Sequence, residues 1–423
     1  MLTAEGRPID FALIPLTAPG ERLVALATQH AADFAPSAAQ HDRDGSFPFE
    51  HIEAMRQSGV LAACVPHEFG GLGVESIHDY VLGINRLGRG DGSTAIAANM
   101  HIFQPWRWTR LWRAATVAGQ ERRAAQLAQL LRQVGAGQVV ICAVVSEPGT
   151  DLLHPLVEAT RTTDGWRLNG RKSFGTMSPA AQLFNVSCRV CDAQGQWLWA
   201  MATVQRESSG VDVRNNWDAL GMRASGSHDV VLTDCLVPDD ALITLGPWGE
   251  WTEVFLGGNL TGTMGLVGAF LGIAEAARAA ILALVTTRRK GPSGRMLAER
   301  YPIQHTIAEI EIDLAASRAM LSRTAILADA LFQQFPQGGI PLDALHYQMK
   351  DFQCTKWFVT RKAIEIVDRA LTASGGEGYL SQSPLSRLYR DVRAGPFMQL
   401  FSPNEAFEYI GKVTLGLDPR LEA

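Results

Sequence analysis

Apolar residues recur at helical spacing along most of this chain and give way to strict alternation in only one stretch. In the first third, the i, i+3, i+4 pattern predicts helices over residues 20–34, Phe47–Gly59, Ile77–Leu87, Ser93–Trp112 and Ala115–Val134. VPHEFGGLG, residues 65–73, is turn-rich and predicts a loop among them. From about Gln138 to Ala241 the period falls to two: Val, Thr, Phe, Trp and Leu alternate with polar residues, which predicts strands. Asp164-Gly165 and Asn169-Gly170 predict tight hairpins there, because both central positions of such turns need positive φ. After Trp248 the helical period returns over Leu256–Arg289, Ile303–Phe335, Leu342–Ser374 and Asn404–Leu415, broken at glycine- and proline-containing loops. Long helices joined by short loops form bundles. The expected class is α+β: an N-terminal α-helical domain (1–137), a middle β-barrel or sandwich domain (138–245) and a C-terminal four-helix bundle (246–423), with chemistry at the seam.

Composition narrows the picture. Of 423 residues, 47% are hydrophobic and 19% charged, which provides for a large core and argues against disorder. The net charge of −5, with Lys and Arg dispersed, excludes a nucleic-acid surface. The most apolar window, Met264–Val285, contains Glu275 and Arg278 and predicts a buried core helix, not a membrane span. MLTAEGRPIDFALIPL mixes Glu5, Arg7 and Asp10 with apolar residues, unlike a secretory leader. Six scattered cysteines suit a reducing compartment, so the expected location is the cytoplasm.

Several residues invite chemistry, each with an ordinary alternative. Cys188 and Cys191 have metal-like spacing but lie on a predicted strand without a second pair, so no metal site is expected. No GxxxxGK sequence is present, and FGGLG and SGGEG lack the strand-and-helix context of a dinucleotide fold. Phe174 and Thr176 end a strand; an aromatic face beside a hydroxyl suits a flat heterocycle, though plain alternation gives the same pattern. Ser146 and Glu147 offer a second polar strand end at that edge. Gly375 and Gly376 close a long helix, either as its C-cap or as a close approach to a phosphate or adenine group. Arg288, Arg289 and Lys290 suit a helix C-terminus or a phosphate clamp. Arg387, Arg390, Asp391 and Arg393 form the pattern of a solvated charged face. His101, within AANMHIF, is either a core histidine or a pocket-facing acid–base group.

Together these segments resemble the acyl-CoA dehydrogenase superfamily over essentially the whole chain. VPHEFGGLG resembles its N-terminal loop, and VVSEPGTD its TEPGAGSD segment, two residues shorter. LNGRKSFGT resembles the strand that sets an aromatic and a Thr against the flavin, and LGMRASGSHDVVLTDCLVP the closing strands of the β domain. SGGEGYLSQSPLSRLYRDVRAG resembles the turn and segment that precede the catalytic loop. The resemblance implies FAD at the junction of the β domain and the bundle, with Val145, Ser146, Phe174 and Thr176 as flavin contacts. It further implies Arg288 on the pyrophosphate across a subunit interface, Gly375 and Gly376 at the dinucleotide turn, and Ser402 near the adenosine. A homotetramer or homodimer is implied as well.

The departures bear most on function. Where the family carries its α-proton-abstracting Glu, this chain has Gln399 counting from Arg393, and Leu400 or Gln399 counting back from Gly411; neither is a carboxylate. At the alternative Glu position on the first bundle helix it has Gly262, followed by Thr263 instead of Arg. Thr372 replaces a flavin-facing Gln, and Gly291-Pro292 replaces Phe-Gly. An amide cannot take a proton from a thioester α-carbon, and loss of such a base costs about 10²–10⁴-fold. The favoured expectation is therefore a flavin monooxygenase or oxidase, for which the Gly-Ser pair of ASGSHDVV resembles a family turn, with Gln399 as a neutral hydrogen-bond donor. FMN is then possible in place of FAD, and a flavin reductase is the implied partner. The alternative is an acyl-thioester dehydrogenase with a relocated base, Glu405 or His101, and an electron-transfer flavoprotein as partner. The third is a flavin-binding protein without turnover. The expected pocket wall comprises Met100, His101, Phe103, Gln399 and Trp106–Trp108, facing a small-molecule or thioester substrate.

Overall fold

A computed structural model describes residues 14–292 and 294–420; the segment read above as no leader lies largely outside the described residues. Five helices open the chain: α1 (Ala18–Asp44), α2 (Phe49–Ser58), α3 (Ile77–Gly90), α4 (Gly92–Val117) and α5 (Glu121–Gly135). Their ends follow from local chemistry. The Thr17 hydroxyl accepts from Gly20 N–H at the start of α1, and Gly45 leaves it at φ 61°. The single helix expected over Ala115–Val134 is instead the tail of α4 and all of α5, because Gly119 turns the chain at φ 67° between them.

The bundle consists of α6 (Glu253–Thr287), α7 (Tyr301–Gln334), α8 (Leu342–Ser374), α9 (Pro384–Val392) and α10 (Pro403–Leu415). α6 is long and apolar enough to cross a membrane, yet most of its apolar window is buried inside the protein, packed on α3, α4 and α8. Gly272 permits the approach to α3, since a Cβ there would lie 2.3 Å from the Asn85 carbonyl oxygen. The one buried acid on this helix, Glu275, is held by Arg89 and Arg318 at 2.7 Å each, so its charge is paired as a buried charge must be.

Helix α9 corrects an expectation. Its Arg387 and Asp391 are buried, not a solvated face. Arg387 lies 3.5 Å from Asp91 and 3.4 Å from Asp391, while Arg390 pairs with Asp42 of α1. Asp391 also accepts from Met222 N–H at 2.7 Å. A single charged turn thereby ties the first helices, the middle domain and the bundle together. Sequence pattern alone gave no sign of this, because its partners lie about 170 to 350 residues away.

Between the helical units lies one eight-stranded sheet, ordered β6-β7-β3-β2-β4-β5-β8, with β1 on β4. The strands are β1 (Ile141–Val144), β2 (Glu158–Thr162), β3 (Gly165–Gly175), β4 (Leu183–Cys191), β5 (Trp197–Gln205), β6 (Val211–Val213), β7 (His228–Val237) and β8 (Leu242–Pro247). β1 and β2 both run parallel to β4, end to end along the same edge. The chain leaves that edge after β1, makes an excursion over residues 145–157, and returns. The glycine signals act differently from expectation. Asp164-Gly165 does mark the β2–β3 turn, but Gly165 is already the first residue of β3, paired with Thr162, at φ 137°. Asn169-Gly170 is no hairpin: it is a bulge inside β3, where the register to β7 slips and Asn169 accepts from Asp234 N–H. Cys188 points into the sheet core and Cys191 is exposed, as three-residue spacing on a strand requires, so they cannot share a metal.

Candidate active site

The excursion after β1 is built on a buried ion pair. Glu147 accepts from Leu156 and Val157 N–H at 2.9 and 3.1 Å, closing the loop on itself. Its carboxylate also meets the ammonium of Lys172, a fully buried residue of β3. Burial pushes the Lys172 pKa down, and the neighbouring Glu147 opposes that. Ser173 N–H donates to the Ser146 carbonyl at 2.9 Å in the same place. The pair thus fixes Ser146 beside the end of β3, where Phe174 and Thr176 follow.

Phe174 is 63% exposed and sits at φ 56°, left-handed backbone that a large L side chain rarely adopts. Its ring meets Trp217 edge-on at 6.0 Å. Thr176 shares a hydrogen bond of 2.8 Å with Ser227, which in turn bonds Ser225 at 2.7 Å. The exposed Phe174 ring with the half-buried Trp217 and Thr176, the latter held from behind by the buried Ser227, is a surface that a planar, polar-edged ring system would cover. The sequence signal of Ser227 was the Gly-Ser pair.

Gln399 reaches the same edge from the bundle. Its side-chain Nε2 donates to Ser146 Oγ at 2.5 Å. That bond leaves the Gln399 carbonyl oxygen and the Ser146 hydroxyl proton available to a ligand. The loop carrying it is anchored by Lys356 of α8, whose Nζ donates to the carbonyls of Met398 and Phe401. Burial brings the Lys356 pKa down to about 7. No local pattern marks this lysine as an anchor.

Beside Gln399 lies a narrow cavity of about 50 Å³ between α4, α6 and the sheet. Met100, Phe103, Arg107 and Gln399 of the expected wall line it, with Asn259 and Trp199. Among the described residues, none that lines it is a carboxylate. Gly262 packs against Phe103, so near that a Cβ there would stand 3.0 Å from the ring. Glu405 is committed to a capping box with Ser402 at the start of α10, which removes it as a relocated base and gives Ser402 a structural role.

His101 is corrected. It is 1% exposed and does not line the cavity; its Nδ1 accepts from Ile141 N–H at 3.0 Å and its other nitrogen serves the Leu61 carbonyl. Trp106 and Trp108 are likewise core: the first donates to the Glu75 carbonyl, and the second packs with Leu127. Burial lowers the His101 pKa from 6.5 to about 4. A histidine held neutral contributes stability above pH 6.5 that is lost as pH falls towards 4, about 3 kcal/mol in all. Denaturant titrations should therefore show the advantage of wild type over His101→Gln shrinking across that window; a gap independent of pH would refute the neutral assignment.

Arg288 and the Gly375–Gly376 turn do come together, through an ion pair of Arg288 with Glu377, but at the end of the bundle and not at the cavity. Gly375 turns at φ 67°, and neither glycine has a neighbour within 4 Å of a built Cβ, so an open cradle stands beside a guanidinium. Thr372 is exposed, and its carbonyl caps the end of α8.

Family profiles described as acyl-CoA dehydrogenase N-terminal, middle and C-terminal domains match residues 21–128, 142–235 and 264–403. An amino sugar nitrososynthase of Streptomyces peucetius is 36% identical over 406 residues, covering 95% of each chain. This chain belongs to the acyl-CoA dehydrogenase family. A second amino sugar nitrososynthase, from Streptomyces rubradiris, is 33% identical over 95% of this chain and 92% of its own. An X-ray structure of KijD3 in complex with FMN and dTDP-3-amino-2,3,6-trideoxy-4-keto-3-methyl-D-glucose superimposes with a TM-score of 0.87 at 32% identity, covering 96% of both chains. Family membership carries the flavin-dependent oxidoreductase reading, with FAD or FMN as cofactor, that the motifs implied. Among the described residues, the polar lining of the cavity is the amides of Gln104, Asn259 and Gln399, the hydroxyls of Ser187 and Thr263 and the Arg107 guanidinium, without an acid.

Proposed function

We propose that this protein is a flavin-dependent, oxygen-using enzyme that oxidises the amino group of a nucleotide-linked amino sugar to the nitroso level. The observation that carries this is the cavity without a carboxylate, where Gln399 is bonded to Ser146. Proton abstraction from carbon needs a base of that kind; oxidation of a neutral amine does not. The relatives that match nearly the full chain, and the KijD3 complex, support the same choice of substrate.

Ser146, Phe174 and Thr176 would hold the isoalloxazine, and the exposed, strained Phe174 with its hydroxyl neighbours fits that group. When bound and reduced, the flavin supplies two electrons and passes one atom of O₂ to the substrate. The amine and one O₂, with two electrons and two protons, give the hydroxylamine and water. A second O₂, two electrons and two protons give the nitroso compound and two more waters. The chain's own part is to orient and desolvate. The Gln399 carbonyl oxygen accepts an amine N–H and so aims the nitrogen lone pair, while the apolar wall of Met100, Phe103 and Leu266 excludes water.

The test is turnover with a flavin reductase, O₂ and a nucleotide-linked amino sugar. The expected product has gained one oxygen and lost two hydrogens by mass. Oxygen consumption without any change in the sugar, or flavin bleaching by an acyl thioester in anaerobic solution, would refute the proposal.

A further inference from the structure

Arg107 stands alone in its charge. It lies on α4 two turns beyond Met100, on the same face, and among the described residues it is the sole charged one lining the cavity. Its Nε is buried with no hydrogen-bond partner, and no carboxylate among the described residues pairs with it. The guanidinium carbon lies 5.9 Å from the centroid of the Trp199 ring, and the remaining wall nearby is Phe255, Gly258 and Asn259. Neighbouring arginines are treated differently. Arg110 donates to the Phe332 and Phe335 carbonyls, and Arg113 forks onto Glu75. Burial lowers the Arg107 pKa only to about 10, so the group is cationic at neutral pH. Arg107 is half-buried, and its buried Nε is a donor that an anionic ligand can satisfy while supplying the counter-charge.

We propose that Arg107 is the anion-recognising residue of this pocket and pairs with the diphosphate of the nucleotide-linked substrate. The proposal rests on the functional reading above for the identity of the anion. A planar fork of donors matches two phosphate oxygens, which an ammonium does not. Gly258 faces the guanidinium, where a Cβ would stand 3.4 Å from Nε, so α6 leaves room for that group at the wall. The amine end of the same substrate then extends towards Gln399, and one residue sets both the reach and the charge of what is accepted.

The test uses the flavin-loaded protein with three variants at this position: Arg107→Lys, Arg107→Gln and Arg107→Met. Calorimetry with thymidine diphosphate alone should give an affinity that falls in the order Arg, Lys, Gln or Met, by about 10–100-fold overall, with flavin content unchanged. Steady-state kinetics should show KM for the nucleotide-linked sugar rising by a similar factor at nearly constant kcat, because the contact is made equally in ground and transition states. The same amino sugar without its nucleotide should be insensitive to the substitution. Equal binding of thymidine diphosphate to wild type and Arg107→Met, no binding to wild type, or equal losses for the linked and free sugars would each overturn the proposal. Because the calorimetry needs no turnover, a protein that binds the nucleotide through Arg107 yet oxidises no amine would sink the functional reading and leave this assignment standing.

Discussion

Replacing Lys172 with Met should lower stability by on the order of 3–5 kcal/mol and empty the flavin site. The substitution leaves the Glu147 carboxylate buried in the sheet with its charge uncompensated, although Leu156 and Val157 N–H still donate to it. Removing one member of a buried pair is worse than removing both, because the stranded charge keeps its desolvation penalty. The double variant Lys172→Met/Glu147→Gln should therefore recover part of the loss, a non-additivity that marks direct coupling. Glu147→Gln alone should be milder, since burial already drives Lys172 towards its neutral amine. Denaturant unfolding gives the stability, and absorbance of the retained flavin after gel filtration gives the occupancy. A Lys172→Met protein as stable as wild type would show that the pair does not brace the Ser146 loop.

Gln399→Leu should reduce kcat for amine oxidation by about 10²-fold with little change in KM. Leucine fills similar space but offers neither the donor to Ser146 nor the acceptor for the amine. The opposite substitution is more telling. Gln399→Glu puts an acid where dehydrogenases of this family keep one. The carboxylate would pair with the ammonium form of the bound substrate, raise its pKa and move the rise of the kcat profile to higher pH. An unshifted profile, or unchanged turnover in Gln399→Leu, would mean that the amide does not touch the reacting nitrogen.

How far the sequence reached depends on whether an interaction is local. Alternation and helical spacing were sufficient for the helix–sheet–helix order, and glycine and proline breaks located the ends of α8. The bulge at Asn169-Gly170 misled because the same φ > 0 signal serves hairpins and bulges. The edge formed by Ser146, Phe174 and Thr176 was legible as a motif, and Gln399 as a departure from one. Lys172 and Lys356 were not, since a buried cation is defined by partners distant in sequence, and Arg107 was legible only as part of the Trp106–Trp108 stretch of the expected wall. His101 failed as a catalytic candidate for a complementary reason: an imidazole in an apolar helix is as well suited to bridging two backbones as to moving a proton.

On the proposed function, this fold, lacking an acid over its flavin edge, places oxygen on nitrogen. Isotopically labelled dioxygen tests it most directly: reduced holoenzyme is mixed with a nucleotide-linked amino sugar under the labelled gas, and the product is weighed. One labelled oxygen on nitrogen and no reaction with acyl thioesters are expected. Label found only in water and peroxide, with an enoyl thioester formed when an acyl thioester is supplied instead, would contradict it.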